Sequence, residues 1–259
     1  MDDKVPNFLF GINPVLEKLR TLPHDLCEVL IDKTSSAPAL RNVETQARRV
    51  GIPLKYVLPD LLDRFSGGQR HQGVVAKVLA YSYLRFSDLL EAMPAFSEWV
   101  WILILDGLTD PRNFGALLRT AESVGIRHIL IPKDRAVAVT PTVVAASAGA
   151  IYYLNIYRVT NLRRAIADLK QLGFWIVGLD ANAQEGIYDR TYPKRLGIVL
   201  GSEGTGIRSL IQRECDYLAA IPMQGRVSSL NVTIAGAVFL YELLRQVSYN
   251  RVDKGSTKR

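Results

Sequence analysis

Cysteine and histidine are scarce in this 259-residue chain: the only ones are Cys27, Cys215, His24, His71 and His128. No CxxC pair or Cys/His cluster occurs, so neither a disulfide framework nor a metal site is expected, and a reducing cytoplasm fits. Long apolar runs are also missing. The longest, Trp99 to Leu105, falls far short of the roughly 20 residues that a membrane-spanning helix needs. The opening Met1-Asp2-Asp3-Lys4 is acidic where a secretory signal is basic, and no apolar core follows before Pro23, so secretion is not expected. In such a protein the sole glycosylation match, Asn231-Val232-Thr233, carries no meaning. No G-x-S-x-G motif is present and the histidines read as non-catalytic, which disfavours Ser-His-Asp hydrolase chemistry.

What is present describes a packed protein. Hydrophobic residues make up 48% and charged residues 22%, values that exclude intrinsic disorder and low-complexity fibres. The formal net charge is +7. Residues 1–97 hold net +1 and residues 98–259 net +6, of which the last nine residues supply +3. Attraction for an acidic partner therefore depends on local patches more than on overall charge. The length permits one large domain or two modest ones.

Hydrophobic periodicity favours two. A helix starting at Asn13-Pro14, a strand at Leu26–Ile31, a helix over Pro38–Val50 stopped by Gly51, a strand at Leu54–Val57, a helix over Leu58–Phe65 and a valine-rich strand at Gly73–Ala80 form a small α/β/α unit over residues 1–80. The pattern weakens over residues 81–97, where Met93-Pro94 interrupts it, and this stretch reads as a linker. A second α/β series occupies residues 98–250. Its strands are expected at Val100–Leu105, His128–Ile131, Phe174–Gly178, Leu196–Leu200 and Asp216–Ile221. Helices are expected at Asn113–Val124, Thr140–Gly149, Asn161–Leu172 and Leu230–Val247. Such alternation predicts a mostly parallel sheet covered by helices. Residues 251–259 read as a disordered basic tail.

Three loops of the second series each follow a strand, at the end where open α/β sheets bind ligands. The first, Leu105 to Gly115, leads into a helix carrying Asn113 and Arg119. Six residues correspond to about 600° of helix, so the two side chains diverge unless Asn113 precedes the first turn. Asn113 is either a helix cap or a functional amide, and Arg119 either a solvated cation or a functional one. The second loop, Gly201-Ser202-Glu203-Gly204-Thr205-Gly206, has neither dinucleotide-binding nor P-loop spacing, yet its glycines admit close backbone approach beside a carboxylate. The third, Ile221 to Val232, gathers Ser228, Ser229 and Asn231 at one helix start, more polar groups than capping requires.

In this order and at these strand ends, Asn113-Phe-Gly-Ala-Leu-Leu-Arg119, Leu200-Gly-Ser-Glu203-Gly and Ile221-Pro to Ser228-Ser229-Leu230-Asn231-Val232 resemble the three motifs of the SPOUT class of RNA 2′-O-ribose methyltransferases. Gly11-Ile12, His71-Gln72-Gly73 and Pro132-Lys133-Asp134-Arg135 look like the bacterial branch acting on guanosine in 23S rRNA. The resemblance implies an amino-terminal substrate-binding domain of the ribosomal protein L30e type and a carboxy-terminal SPOUT α/β domain with a deep trefoil knot. It implies S-adenosyl-L-methionine as methyl donor without a metal, held at Gly201, Ile221 and Leu230. Catalysis or substrate placement falls to Asn113, Arg119, Glu203, Ser229 and Asn231. The implied partners are 23S rRNA and a second copy of the chain, with the active site at their interface, and neither DNA nor membrane. Transfer-RNA or other rRNA 2′-O-methyltransferases share the motifs, and a catalytically silent RNA-binding or ribosome-assembly protein is the alternative from another class.

Overall fold

The computed structural model describes residues 7–79, 81–96, 99–227 and 229–255. Ser228 and the end of the basic tail, residues 256–259, lie outside them, as does the acidic opening of the chain. The chain divides into two compact units. One comprises residues up to Ser82 together with Ala138–Tyr153, the other Tyr83–Val137 together with Leu154 onwards. Among the described residues no helix is long and apolar enough to cross a membrane.

The first unit contains strands β1 (Asn7–Phe10), β2 (Leu26–Asp32), β3 (Leu54–Val57) and β4 (Val74–Val78), and helices α1 (Ile12–Thr21), α2 (Pro38–Arg49) and α3 (Pro59–Ser66). The sheet runs in the order β1-β4-β2-β3, with β2 and β3 parallel and the other two pairings antiparallel. Strand β1 is additional to the expected set. Four residues make too short a run to signal by themselves, and their partner β4 lies more than 60 residues away. Helix α1 starts at Ile12, with Gly11 ahead of it at φ 96, so Asn13 and Pro14 lie inside its first turn rather than at its cap.

Residues 138–153 correct the expected domain division. The small-residue helix predicted there exists as α6 (Pro141–Ala146), followed by a 3₁₀ turn at Ala150–Tyr153, but it packs in the first unit and not the second. Ala145 packs against the apolar cluster of Phe10, Leu30, Leu62 and Val75. Gln69 Nε2 donates to Thr142 Oγ1 at 3.1 Å, Lys18 Nζ lies 4.6 Å from the centre of the Tyr152 ring, and the Tyr153 hydroxyl donates to Glu17. Gly149 sits so close to Glu17 that a Cβ would fall 2.7 Å from the Glu17 Cβ, an approach only a glycine permits.

The second unit is a seven-stranded sheet in the order β7-β6-β5-β10-β8-β11-β9, parallel throughout, as the alternation predicted. Its strands are β5 (Val100–Asp106), β6 (His128–Pro132), β7 (Asn155–Val159), β8 (Trp175–Leu179), β9 (Glu185–Gly186), β10 (Arg195–Gly201) and β11 (Tyr217–Ala220). Helices α4 (Phe86–Ala92), α5 (Pro111–Ser123), α7 (Leu162–Gln171), α8 (Ser209–Gln212) and α9 (Val232–Gly255) complete it. All seven residues of β5 are buried, as a strand covered on both faces requires. Val100, Ile102 and Ile104 alternate onto one face against Leu162, Ile166 and Leu169 of α7. Elsewhere α5 meets α9, where Gly236 leaves room for Leu117 and Leu200.

Two further expectations are corrected. Of the expected linker 81–97, residues 83–96 pack in the second unit: α4 and the turn at Met93–Ala95 belong to it, with Leu89 and Met93 inside its core. Arg195 fixes this stretch by donating to the carbonyls of Met93 at 3.4 Å, Phe96 at 3.2 Å and Leu172 at 2.6 Å. The short helix escapes periodicity because it buries only one narrow stripe. The carboxy-terminal residues 251–255 continue α9 as helix instead of forming a tail, since no proline interrupts the run from Val232 to Gly255.

Burial of Met93 separates core from linker by measurement. Met93→Ala should lower unfolding stability in urea by about 2–5 kcal/mol; a change within about 0.5 kcal/mol, normal for an exposed connecting residue, would return the stretch to linker status.

Candidate active site

The carboxyl ends of β5, β8, β10 and β11 lie side by side, and each polar group there owes its position to a local backbone feature. Asp106 closes β5 and pairs in register with Gly201, the last residue of β10. After Gly107, at φ 80, the chain turns into α5, whose cap is Asp110: its carboxylate accepts from the backbone N–H of Arg112 at 2.6 Å and Asn113 at 2.9 Å. The two readings of Asn113 are thereby separated. It lies inside the first turn, its own N–H already satisfied, and its amide points elsewhere.

That amide meets Glu203. Asn113 Nδ2 donates to Glu203 Oε2 at 2.9 Å, and Asn231 Nδ2 donates to Glu203 Oε1 at 3.1 Å. Asn231 also caps α9: its Oδ1 accepts from the Thr233 N–H at 2.9 Å and from the Thr233 hydroxyl. One carboxylate thus has each oxygen held by a neutral donor, one from α5 and one from the start of α9. The structure joins three of the five residues expected to act, although they are up to 118 positions apart in the chain.

Glu203 is presented by a very tight loop. Ser202 and Gly206 exchange backbone hydrogen bonds at 3.0 and 2.9 Å, with Gly204 at φ 84 and Gly206 at φ 67. A Cβ on Gly201 would fall 2.0 Å from the carbonyl carbon of Gly206, so no other residue fits at position 201.

Beside this network lies a cleft of about 520 Å³. Gly201, Ile221 and Leu230, the three residues expected to hold a cofactor, line it, and so do Glu203, Ser229 and Asn231. Ser229 is exposed and serves the rim. Arg119 is not brought to the group: it is exposed on α5, about 9 Å along the axis from Asn113 by helix rise, and has no hydrogen bond or ion pair among the described residues.

Sequence reasoning missed two groups. Asp106 has no exposed surface, and it accepts from the Arg208 N–H at 2.9 Å and Arg208 Nε at 2.7 Å. Asp180, after β8, lines the cleft and accepts from Gln212 Nε2 at 2.5 Å and the Asn182 N–H at 2.8 Å. The available signal was an acidic residue closing each apolar strand, VWILILD and WIVGLD. None of the histidines lines the cleft. His71 Nε2 is 3.0 Å from Asp63 and its Nδ1 accepts from the Gly73 N–H, while burial pushes the pKa of His128 down.

A parallel α/β sheet with its polar cluster and cleft at the carboxyl ends of its strands has the layout in which open α/β folds bind their ligands. The chain belongs to the SpoU rRNA methylase family, which matches residues 101–241, and is a methyltransferase. Residues 8–84 match a second family, RNA 2′-O ribose methyltransferase substrate binding. Among its relatives is the 23S rRNA (guanosine-2′-O-)-methyltransferase RlmB of Xylella fastidiosa, 38% identical over 94% of this chain and 98% of that protein. A protein of Bacillus subtilis provisionally named the TrmH family tRNA/rRNA methyltransferase YacO is 40% identical over 93% of this chain and 96% of its own length. In fold, the chain is similar to the SpoU methyltransferase AviRb from Streptomyces viridochromogenes, solved with AdoMet, at a TM-score of 0.79 and 24% identity over 93% of this chain and 90% of that one.

The double duty of Asn231 is testable by separating its parts. Asn231→Ala should cost about 1 kcal/mol of stability for the lost cap and depress methyl transfer. Asn231→Ser, which caps but does not reach Glu203, should restore the melting temperature and leave activity low. Recovery of both by serine would show that the cap alone matters.

Proposed function

We propose that this chain transfers the methyl group of S-adenosyl-L-methionine to the ribose 2′-hydroxyl of a guanosine in 23S rRNA. The observation that carries the reading is the Asn113–Glu203–Asn231 network at the rim of the cleft, built from the three loops that mark the family. Support for the substrate comes from the Xylella relative and from the substrate-binding match at residues 8–84, which accords with reading the amino-terminal domain as an RNA-recognition module of the L30e type. The B. subtilis name keeps tRNA as the alternative substrate.

The residues present fit the cofactor. Gly201, Ile221 and Leu230 line a cleft whose wall mixes apolar side chains such as Leu179 and Leu200 with polar ones such as Asp180 and Asn182, and Gly201, having no Cβ, lets the loop pass close by. When bound, S-adenosylmethionine supplies a methyl group carried on a sulfonium. No metal ligand set is required, and alignment contributes much of the rate. Glu203, held at both oxygens, orients the ribose, and Ser229 offers a hydroxyl at the rim. A guanidinium keeps its protons, so Arg119 acts as a clamp on a phosphate or the developing alkoxide, and the hydroxyl proton leaves to water or a neighbouring phosphate.

The exposed, unpartnered Arg119 supports a homodimer in which a second copy completes the site. A trefoil knot in the second unit accords with β10 lying between the earlier strands β5 and β8 and with the family to which the chain belongs. A cytoplasmic location accords with an rRNA substrate and with the unpaired Cys27 and Cys215.

Labelled S-adenosylmethionine incubated with unmodified 23S rRNA and with tRNA should place label in the rRNA. Label in tRNA alone would change the substrate, and label in neither would remove the enzymatic reading. In a second test, Arg119→Ala should abolish transfer with cofactor affinity, measured by calorimetry, little changed; equal loss of both would put Arg119 in the cofactor pocket.

A further inference from the structure

The same carboxyl edge of the sheet carries a second cluster of charge that the proposed reaction leaves unused. Strands β6 and β7 continue the sheet outward from β5, and Ile131 and Pro132 pair with Arg158 and Val159. Just past Pro132 the exposed segment Lys133-Asp134-Arg135 turns sharply, with Arg135 at φ 58. Arg158 reaches across to this turn, donating through Nη2 to the Lys133 carbonyl at 2.8 Å, and its guanidinium carbon lies 5.2 Å from the centre of the Tyr83 ring. The turn is tied to the catalytic loops. The Val137 N–H donates to the Leu108 carbonyl at 2.8 Å, and the Arg135 carbonyl lies 3.9 Å from where a Gly107 Cβ would stand, the same distance as Ser202 Cβ.

Lys133, Arg135 and Arg158 are exposed, and among the described residues none of them is ion-paired. Asp134 is the acid within the turn, which leaves a net charge of +2 over these four side chains. Asp88 of the adjoining α4 is neutralised by Arg85 at 3.0 Å. A guanidinium fixed beside a tyrosine ring and flanked by free cations has the make-up of a surface for nucleic acid strands: charges for phosphates and flat groups for bases.

We propose that Lys133, Arg135, Arg158 and Tyr83 form a docking platform for the single-stranded RNA that flanks the target nucleotide. The proposal rests on the reading of the chain as an RNA methyltransferase. With adjacent strands about 4.8 Å apart, the platform on β6 and β7 begins one strand from β5 and two from β10, so one short run of RNA spans cleft and platform. Phosphates bind Lys133 and Arg135, and a base stacks on the Arg158–Tyr83 pair.

The test measures binding apart from catalysis. Full-length wild-type protein and the Lys133→Ala/Arg135→Ala double variant, which loses only exposed side chains, are titrated against a 23S rRNA fragment over a salt series. The variant should bind several-fold more weakly, and its log-log salt slope should become shallower by about 0.7 for each phosphate that is no longer neutralised. Arg158→Lys, which keeps the charge and discards the plane, should give an intermediate affinity with an unchanged salt slope. S-adenosylmethionine affinity and melting temperature should match wild type in both. Unchanged RNA affinity and salt slope in the double variant would overturn the platform even if methylation proceeds. A wild-type chain that shows the slope difference but transfers no methyl group would instead overturn the enzymatic reading and leave the platform standing. A wild-type chain that binds no RNA removes both.

Discussion

The buried carboxylate of Asp106 is the constraint on which the site depends. It sits with no exposure at the end of an otherwise apolar strand, beside Gly201 in the neighbouring strand, and among the described residues Arg208 alone satisfies it. An unsatisfied carboxylate at that depth would be strongly unfavourable, so the chain leaving Gly201 must return to Asp106 within seven residues. That short return forces the glycine-rich loop into its tight form, and the tight form leaves Glu203 at the tip. The position of Glu203 thus follows from a charge buried away from the cleft.

The two amides on Glu203 differ in kind from that pair. Neutral donors orient a carboxylate and leave its charge in place, whereas the Arg208 guanidinium at Asp106 compensates the charge it meets. The rim of the cleft therefore keeps a carboxylate in place, and Asp180 adds a second one to the same lining, an arrangement suited to a ligand carrying a positive centre. Cations, by contrast, are found outward along the same edge and on α5, where a polyanion has access.

Much of this was legible in the residues. Apolar strands such as VWILILD and LGIVL announced themselves by composition, and the loops after them by glycine and small polar residues. Glu203 and Asn231 were readable as candidates because each added a polar group beyond local need. What was not legible depended on partners distant in the chain. Strand β1 exists because β4 supplies its ladder, and α4 because the second core has a gap that Leu89 and Met93 fill. Helix α6 was visible as a helix, yet nothing in its own alanines says which core they face. The cap reading of Asn113 was removed by Asp110, three residues earlier, which took the cap for itself and left the Asn113 amide free to meet Glu203.

The return of residues 138–153 to the first unit also orders events during synthesis. The chain passes between units after Ser82, after Val137 and after Tyr153, so the first unit is not a detachable leading segment. As the polypeptide emerges, its first four strands can pair, but the surface that Ala145 covers stays open until β5, α5 and β6 have already been made. The two units thus reach completion interleaved, and a break anywhere between residues 83 and 137 would separate the first unit from a part of its own core.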